Sequence, residues 1–486
     1  MTAILFYGAW AVLVVSASLV LPVVIAFAIG EPFARLSLHA LLGAFVSGCV
    51  LLALAGRTPR PTPMVSLAVM IAVWVILPVT IAVPLADLLD LGYVDALFEA
   101  TSGLTTTGAS VILQLADVPA SVIVFRSQLQ WLGGTLSLLS ILIVLAPLGI
   151  GGLSAQALPR ASGRRSLLAV GRATDLVRTV GLFYTTVTAV AFLAFLLCGA
   201  EPIVALCLAM TAVSSGGFLP FDGALLDRIG PVGIVVFAFV LLLSATSIYW
   251  HRMVLNWQRN RLRQHRESYF VLLVTGVLAG ILFISLARVS AADARGMQLA
   301  ESFFNASSLV STSGIESRPG VLTLIALPVV LFVMLAGGSA YSTSGGIKLY
   351  RLGGMFVQSS QELRRLVYPS GVMSARFGSQ SFDVAMIRAI WSYFVASIVV
   401  IALGALLIAP SAINFEAALV ATVSAFSGAG PIYEAGWAEP GTVAWPGWEA
   451  FDAQAKIVLI AVMLAGRVEV LAVVALFSLR YWRDRT

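Results

Sequence analysis

Long apolar stretches separated by short polar segments follow one another along the whole chain. About ten of them are long enough to cross a bilayer, because about 20 residues of helix span the hydrocarbon core. The first stretch is too long for the apolar part of a signal peptide and lacks a basic segment before it, so we expect it to remain as a transmembrane helix. The predicted spans are approximately residues 4–29, 36–56, 66–89, 120–148, 176–198, 229–251, 269–289, 321–350, 387–409 and 454–479.

The composition excludes a soluble globular protein. Of the 486 residues, 59% are hydrophobic and only 11% are charged, which lies far outside the range of soluble domains. The three cysteines and three histidines have no ligand-like spacing. We therefore expect neither a disulfide framework nor a metal cluster.

The basic residues indicate the orientation in the membrane. With both termini in the cytoplasm, every arginine-rich connection falls on the cytoplasmic side, as the positive-inside rule requires. Most acidic residues fall on the outer side, where they would concentrate cations, although ordinary solvated loops explain them equally well. The arginine-rich segments are residues 57–60, 160–178, 252–266, 351–376 and 480–485.

Four short apolar segments lie in the outer connections after the third, fifth, seventh and ninth spans. They align on one glycine, with a small residue twelve positions before it and large apolar residues eleven and four positions before it. The aligned segments are ALFEATSGLTTTG ending at Gly108, ALCLAMTAVSSGG at Gly217, SFFNASSLVSTSG at Gly314 and ALVATVSAFSGAG at Gly430.

Each of these segments is too short to span a bilayer, so it must enter and return. Non-helical backbone at membrane depth is tolerated only inside protein or along a watery cavity, and the turn is therefore expected to line a pore. The C-terminal end of each short helix favours a cation, and carbonyl and hydroxyl oxygens can replace its hydration shell. The alternative is four unrelated loops rich in glycine and serine. The candidate ion ligands are Thr106, Thr107, Gly108, Gly216, Gly217, Ser313, Gly314, Ala429 and Gly430.

Four acidic residues stand near the predicted starts of the short helices. Carboxylates at this position stabilise helix N-termini, and we favour that role over direct ion binding. These residues are Asp95, Glu99, Glu301 and Glu416.

The eighth and tenth spans contain polar residues that a simple membrane helix would lack. The eighth is interrupted on the inner side of the aligned glycines, where a mobile plug could sit; a glycine-rich packing seam is the alternative. The tenth carries Arg467 near its centre. Glu469 follows two residues later, which places it on the opposite face of a helix, so the two side chains cannot pair along one face. Such an arginine costs about 3 kcal/mol and is a functional candidate, or else a charge that only joins helices. The interrupting residues are Gly337, Gly338, Ser339, Ser342, Thr343, Ser344, Gly345 and Gly346.

These motifs together resemble the superfamily of bacterial and plant potassium transporters, most closely the TrkH-type membrane subunits of its Trk branch. The matching segments are TSGLTTTGAS, SSGGF, QWLGG, GGSAYSTSGGIKLYR, ELRRLVYPSGV and MLAGRVEVL. The resemblance implies K⁺ ligation by Gly108, Gly217, Gly314 and Gly430. We expect the residues directly before them to complete the K⁺ site: Thr107, Gly216, Ser313 and Ala429. It also implies a gate formed by the interrupted eighth span with Arg467, a homodimer, and a cytosolic nucleotide-binding ring of the TrkA type as regulator. Tyr341 departs from the family pattern, in which a small residue is usual.

We therefore predict an all-α polytopic membrane protein with about ten transmembrane helices and four re-entrant pore loops, arranged pseudo-fourfold around one ion pore. The expected function is channel-like potassium uptake across the cytoplasmic membrane, with no enzymatic activity and K⁺ as the transported ion. The alternative is a secondary transporter of another cation or solute, either Na⁺-coupled or Na⁺-permeable. The expected units are two N-terminal helices (1–62) and four helix, pore helix and helix repeats (63–160, 161–266, 267–376 and 377–486).

Overall fold

The computed structural model is almost entirely α-helical. It describes residues 1–56, 62–153, 170–289, 295–368, 376–377, 380–412, 414–438 and 443–477. Within these ranges, eight helical segments are long and apolar enough to cross a membrane, and further apolar helices are shorter. This confirms the predicted all-α membrane class.

The helices fall into three groups by length and position. The long helices are α1 (Thr2–Ser18) continued by α2 (Val20–Ile29), α3 (Ala34–Ala53), α4 (Pro63–Leu89), α6 (Ala120–Leu139) continued to α7 (Ala146–Leu148), α8 (Val170–Leu197), α10 (Leu225–Ala245), α13 (Arg266–Val289) and α17 (Val384–Ile408). The four that carry the aligned segments, called pore helices below, are α5 (Tyr93–Leu104), α9 (Pro202–Ser214), α14 (Arg295–Val310) and α18 (Phe415–Ser427). The remaining elements are α11 (Ile248–Leu255), α12 (Arg259–Gln264), α15 (Leu327–Ala336), α16 (Leu349–Val367), α19 (Ala453–Val468), α20 (Val470–Phe477) and the short strands β1 (Arg376–Phe377) and β2 (Gln380–Ser381).

The eighth and tenth predicted spans are interrupted, and the sixth (229–251) crosses the break between α10 and α11. In the eighth, α15 ends at Ala336 and helical structure resumes only at Leu349. In the tenth, α19 ends at Val468, and Glu469 adopts a φ of 65° before α20 begins. The interruption of the eighth span was expected from its glycines, whereas the break at Glu469 in the tenth was not.

The pore helices are short because local signals limit them. Pro202 occupies the first turn of α9, where its missing N–H costs nothing. Asn414 caps α18 by accepting the N–H of Ala417 at 2.7 Å. Small and hydroxylated residues end the helices, since they compete with the helical hydrogen-bonding pattern.

The packing repeats around a closed ring. Each pore helix contacts the long helix before it, as α5 contacts α4 and α18 contacts α17. The second helix of each unit also packs on the pore helix of the next unit: α6 on α9, α10 on α14, α15 on α18, and α19 back on α5. This cyclic order places the four pore helices around one centre.

Several predicted features lie outside the described residues. They are the arginine-rich segments 57–60 and 480–485, the part of segment 160–178 before residue 170, the boundary between the first two repeats, and residues 369–372 of the ELRRLVYPSGV motif.

Candidate functional site

The pore helices bring four filter segments together, defined as residues 105–108, 214–217, 311–314 and 427–430. The carbonyl of Thr107 accepts the N–H of Gly430 at 2.7 Å, and the Ser313 hydroxyl donates to the carbonyl of Gly216 at 2.5 Å. A Cβ added to Gly108 would overlap the backbone of Gly217. Residues distant in the sequence are therefore in direct backbone contact at the centre of the ring.

A left-handed residue occurs at the same position in all four filter segments. Two residues before the shared glycine, φ is 56° at Thr106, 49° at Ser215, 61° at Thr312 and 72° at Gly428. Only Gly108 and Gly314 among the shared glycines have a left-handed φ. No pattern in the sequence indicated this turn, because threonine and serine rarely adopt a left-handed conformation.

The hydroxyl groups of the first filter segment brace the turn. Thr105 donates to the carbonyl of Thr101 at 2.7 Å, and the Thr105 and Thr107 hydroxyls lie 2.8 Å apart. All three threonines from Thr105 to Thr107 are fully buried. These contacts engage the hydroxyl groups in holding the segment in shape, so its backbone carbonyls, not its hydroxyls, are the candidate ion ligands.

The interrupted eighth span forms a loop, residues 337–346, called the inner loop below. Its Gly345 N–H donates to the Thr312 hydroxyl of the third filter segment at 2.6 Å. Its Thr343 hydroxyl lies 3.2 Å from the Ser215 hydroxyl of the second filter segment. The inner loop therefore lies directly against the filter, where the sequence placed it.

The other side of the inner loop is attached to the end of α10. The Ser339 N–H donates to the carbonyl of Ala245 at 2.9 Å, and the Ile248 N–H donates to the carbonyl of Tyr341 at 3.0 Å. The Tyr341 ring contacts Tyr249 at a centroid distance of 5.2 Å, so the unusual tyrosine packs against α11.

Arg467 connects the filter to the inner loop. Its Nε donates to the carbonyl of Thr105 at 2.5 Å, and one Nη donates to the carbonyl of Thr343 at 2.7 Å. The other Nη contacts the Thr106 hydroxyl. These carbonyl contacts are compatible with both hypotheses for Arg467, namely that it is a gate residue or that it is a charge that only joins helices.

A second buried cation was missed by sequence reasoning. Arg351 is 1% exposed, and its guanidinium contacts the Glu469 carboxylate at 2.5 Å. It also donates to the carbonyl of Gly151 at 2.7 Å and lies 3.9 Å from the centre of the Tyr393 ring. Four distant segments meet here, and no spacing in the sequence relates them.

Two of the four acidic residues are not at helix N-termini. Asp95 and Glu416 do lie in the first turns of α5 and α18. Glu99 and Glu301 instead lie in the middle of α5 and α14, where they pair with arginines. The prediction for these two was wrong because the helices begin earlier than the apolar pattern suggested.

One carboxylate beside the filter has a raised pKa. Glu316 follows the third filter segment and accepts the N–H groups of Leu322 at 2.7 Å and Gly320 at 3.0 Å. Burial raises the pKa of Glu316 to about 7, and these N–H donors oppose the rise. The negative charge on Glu316 therefore increases as the pH rises through about 7.

Comparisons with known proteins point to one family. A family model named TrkH and described as "Cation transport protein" matches residues 51–484. The Trk system potassium uptake protein TrkH of Halomonas elongata is 30% identical, over 80% of this chain and 79% of the relative. The protein of that name from Escherichia coli K12 is 28% identical, over 81% and 80%.

A solved structure shares the fold. The crystal structure of the potassium transporter TrkH from Vibrio parahaemolyticus superposes with a TM-score of 0.85 and covers 99% of each chain. The sequence identity is 22%, so this likeness concerns the fold alone.

Proposed function

We propose that this chain, which belongs to the TrkH family of cation transport proteins, takes up K⁺ across the cytoplasmic membrane through a channel-like filter. The observation that carries the proposal is the ring of four filter segments with the same left-handed residue. Four such turns supply converging carbonyl groups, and four pore-helix C-termini add partial negative charge. The curated relatives are named as potassium uptake proteins, which supports K⁺ as the transported ion.

The filter carbonyls are the proposed K⁺ ligands. They belong to Thr107, Gly108, Gly216, Gly217, Ser313, Gly314, Ala429 and Gly430, with Thr106 in support. The carbonyls of Thr107 and Gly216 are bonded to neighbouring filter segments in this arrangement. Ion passage therefore requires the segments to separate slightly and exchange these bonds for K⁺.

The inner loop and Arg467 form the proposed gate. At about 6 Å and an effective dielectric constant near 20, Arg467 repels K⁺ by roughly 3 kcal/mol, or about a hundredfold in occupancy. That repulsion lowers flux without abolishing it. The inner loop supplies the steric part of the barrier, since its small residues pack directly against two filter segments.

The membrane location, oligomeric state, regulation and repeat boundaries of the chain are also proposals. We place the chain in the inner membrane with both termini in the cytoplasm, as a homodimer regulated by a cytosolic nucleotide-binding ring. The repeat boundaries are those expected from the sequence. The word "system" in the relatives' names supports a separate component. Purified protein with full K⁺ flux that is unaffected by co-encoded soluble subunits and nucleotides would contradict the regulatory ring.

The alternative function is secondary transport of another cation or solute. Discontinuous helices near mid-membrane occur in such transporters, and α15 and α19 are both interrupted. Transport of Na⁺ in preference to K⁺, or uptake of K⁺ that requires a Na⁺ or proton gradient, would favour this alternative.

The central experiment is rescue of a bacterium that lacks potassium uptake. We expect the chain to restore growth at low external K⁺, including in the presence of excess Na⁺. Tracer Rb⁺ uptake into proteoliposomes with the purified protein checks that the chain itself conducts. Absence of both growth and Rb⁺ uptake, with folded protein in the membrane and the co-encoded soluble subunits present, would reject the proposed function.

Substitution of two filter glycines should change ion selection. Gly108→Ser with Gly314→Ser adds side chains where the backbones of neighbouring segments touch. We expect the Michaelis constant for K⁺ to rise on the order of tenfold and Na⁺ to be admitted, because the ligand positions shift. Gly223→Ser is the matched control, since Gly223 also has a left-handed φ but has open space around it. Unchanged affinity and selectivity in the folded double variant would exclude these residues from the ion site.

Removal of the Arg467 charge should open the gate. We expect Arg467→Ala, or deletion of residues 342–344, to raise basal Rb⁺ flux several-fold and to weaken dependence on a regulatory partner. Arg467→Lys keeps the charge and should disturb flux less. Tracer uptake is measured at matched protein levels, with Arg288→Ala as a control for loss of an exposed arginine. If Arg467→Ala conducts like the wild type, or only fails to fold, the arginine is structural.

A further inference from the structure

The four pore helices differ in polarity at one aligned position, called a register position below. Nine residues before the shared glycine, the residue is polar in the first and third repeats and apolar in the second and fourth. These residues are Glu99, Leu208, Asn305 and Ala421. The residues three positions after the glycine are Val111, Pro220, Ser317 and Tyr433.

In the first repeat, the polar residue Glu99 binds the backbone three residues after the filter glycine. Glu99 is fully buried, and its carboxylate accepts the N–H of Val111 at 3.1 Å. Arg126, also buried, donates its Nε to the same carboxylate at 2.8 Å. The ion pair therefore supports the exit of the first filter segment and balances the buried charge.

The third repeat makes the equivalent bond with a neutral side chain. Asn305 is fully buried, and its Oδ1 accepts the N–H of Ser317 at 3.1 Å. Its Nδ2 donates to the Ser317 hydroxyl at 2.7 Å. The two repeats thus join the same register positions by the same type of bond, although the side chains differ.

The second and fourth repeats lack this hydrogen bond between the two register positions. Leu208 has no polar atom, and Pro220 has no N–H to offer, so both partners of the bond are missing together. Ala421 likewise offers no acceptor, and Tyr433 lies instead in an aromatic cluster, 4.6 Å from the ring centre of Trp448. In the cyclic order of the repeats, the braced segments are on opposite sides of the ring.

We propose that Glu99 and Asn305 are equivalent positioning residues that fix the exits of two opposite filter segments and thereby set discrimination between K⁺ and Na⁺. The inference rests on the proposed function of the filter. A buried polar side chain is costly unless it is bonded, and loss of either acceptor would leave a buried backbone N–H without its partner. Support of this kind keeps ligand groups in place without touching the ion.

The Glu99–Arg126 ion pair also contacts the residue that follows the second filter segment. The Arg126 guanidinium lies 4.2 Å from the centre of the Phe218 ring, and Phe218 directly follows Gly217 of the second filter segment. The ion pair therefore connects the exit of the first filter segment both to its own pore helix, α5, and to the exit of the second filter segment.

The test exchanges the third-repeat residue for those that the other repeats carry naturally. Asn305→Leu reproduces the second repeat and removes both bonds to Ser317. Glu99→Gln keeps an oxygen that can accept the Val111 N–H, so its effect should be smaller. Leu208→Met changes the same register position without removing a polar bond and serves as the control. The readout is the Na⁺ concentration that halves Rb⁺ uptake into proteoliposomes, together with maximal rate and the amount of folded protein.

We expect Asn305→Leu to increase sensitivity to Na⁺ on the order of tenfold, with Leu208→Met unchanged. If Asn305→Leu does not fold, Asn305→Ala removes the same bonds with the residue found in the fourth repeat. A lower maximal rate with unchanged Na⁺ sensitivity in the folded Asn305 variant would show a merely structural role and overturn the inference. Wild-type protein without Rb⁺ uptake would overturn the proposed function and this inference with it.

Discussion

The structure depends on one constraint: a backbone N–H or carbonyl group in an apolar environment must find its partner within the protein. The filter segments and the inner loop are non-helical, so they cannot satisfy these groups locally. They do so through each other, as when Thr107 accepts from Gly430 and Arg467 donates to Thr105. The arginine is thus also a hydrogen-bond donor for carbonyls that no helix serves. The polar residues in the apolar chain are concentrated where the backbone leaves the helix.

The same constraint links the filter to the inner loop. The inner loop bonds to α10 on one side and to the filter segments on the other. Displacement of the inner loop would leave several backbone groups without partners unless water replaced them. Any displacement of the inner loop would therefore be coupled to hydration of the adjacent cavity, which is lined by Ser344, Lys348 and Arg467 among others.

The sequence predicted features that repeat and missed those that depend on distant pairing. Four matched glycines in equivalent connections were enough to predict the four turns, and the glycine-rich interruption predicted the inner loop. The left-handed residue at Thr106 was not predictable, because its conformation is maintained by tertiary contacts against local preference. The ion pair of Arg351 with Glu469 joins residues separated by 118 positions, and a single sequence contains no pattern that relates them. Glu99 was misassigned because the start of α5 could not be placed within one turn.

The cyclic packing of the repeats has a consequence for synthesis of the protein. The last unit closes the ring when α19 packs on α5, and the Lys456 ammonium reaches the Asp95 carboxylate at 2.6 Å across 361 positions in the chain. The pore helix of the first repeat therefore remains without one of its covering helices until α19 has been made, and α19 begins only at Ala453, whereas α5 ends at Leu104. Contacts of such sequence separation form late, since loop closure must precede them. During translation, the first repeat must be sheltered by lipid, by the insertion machinery or by another chain.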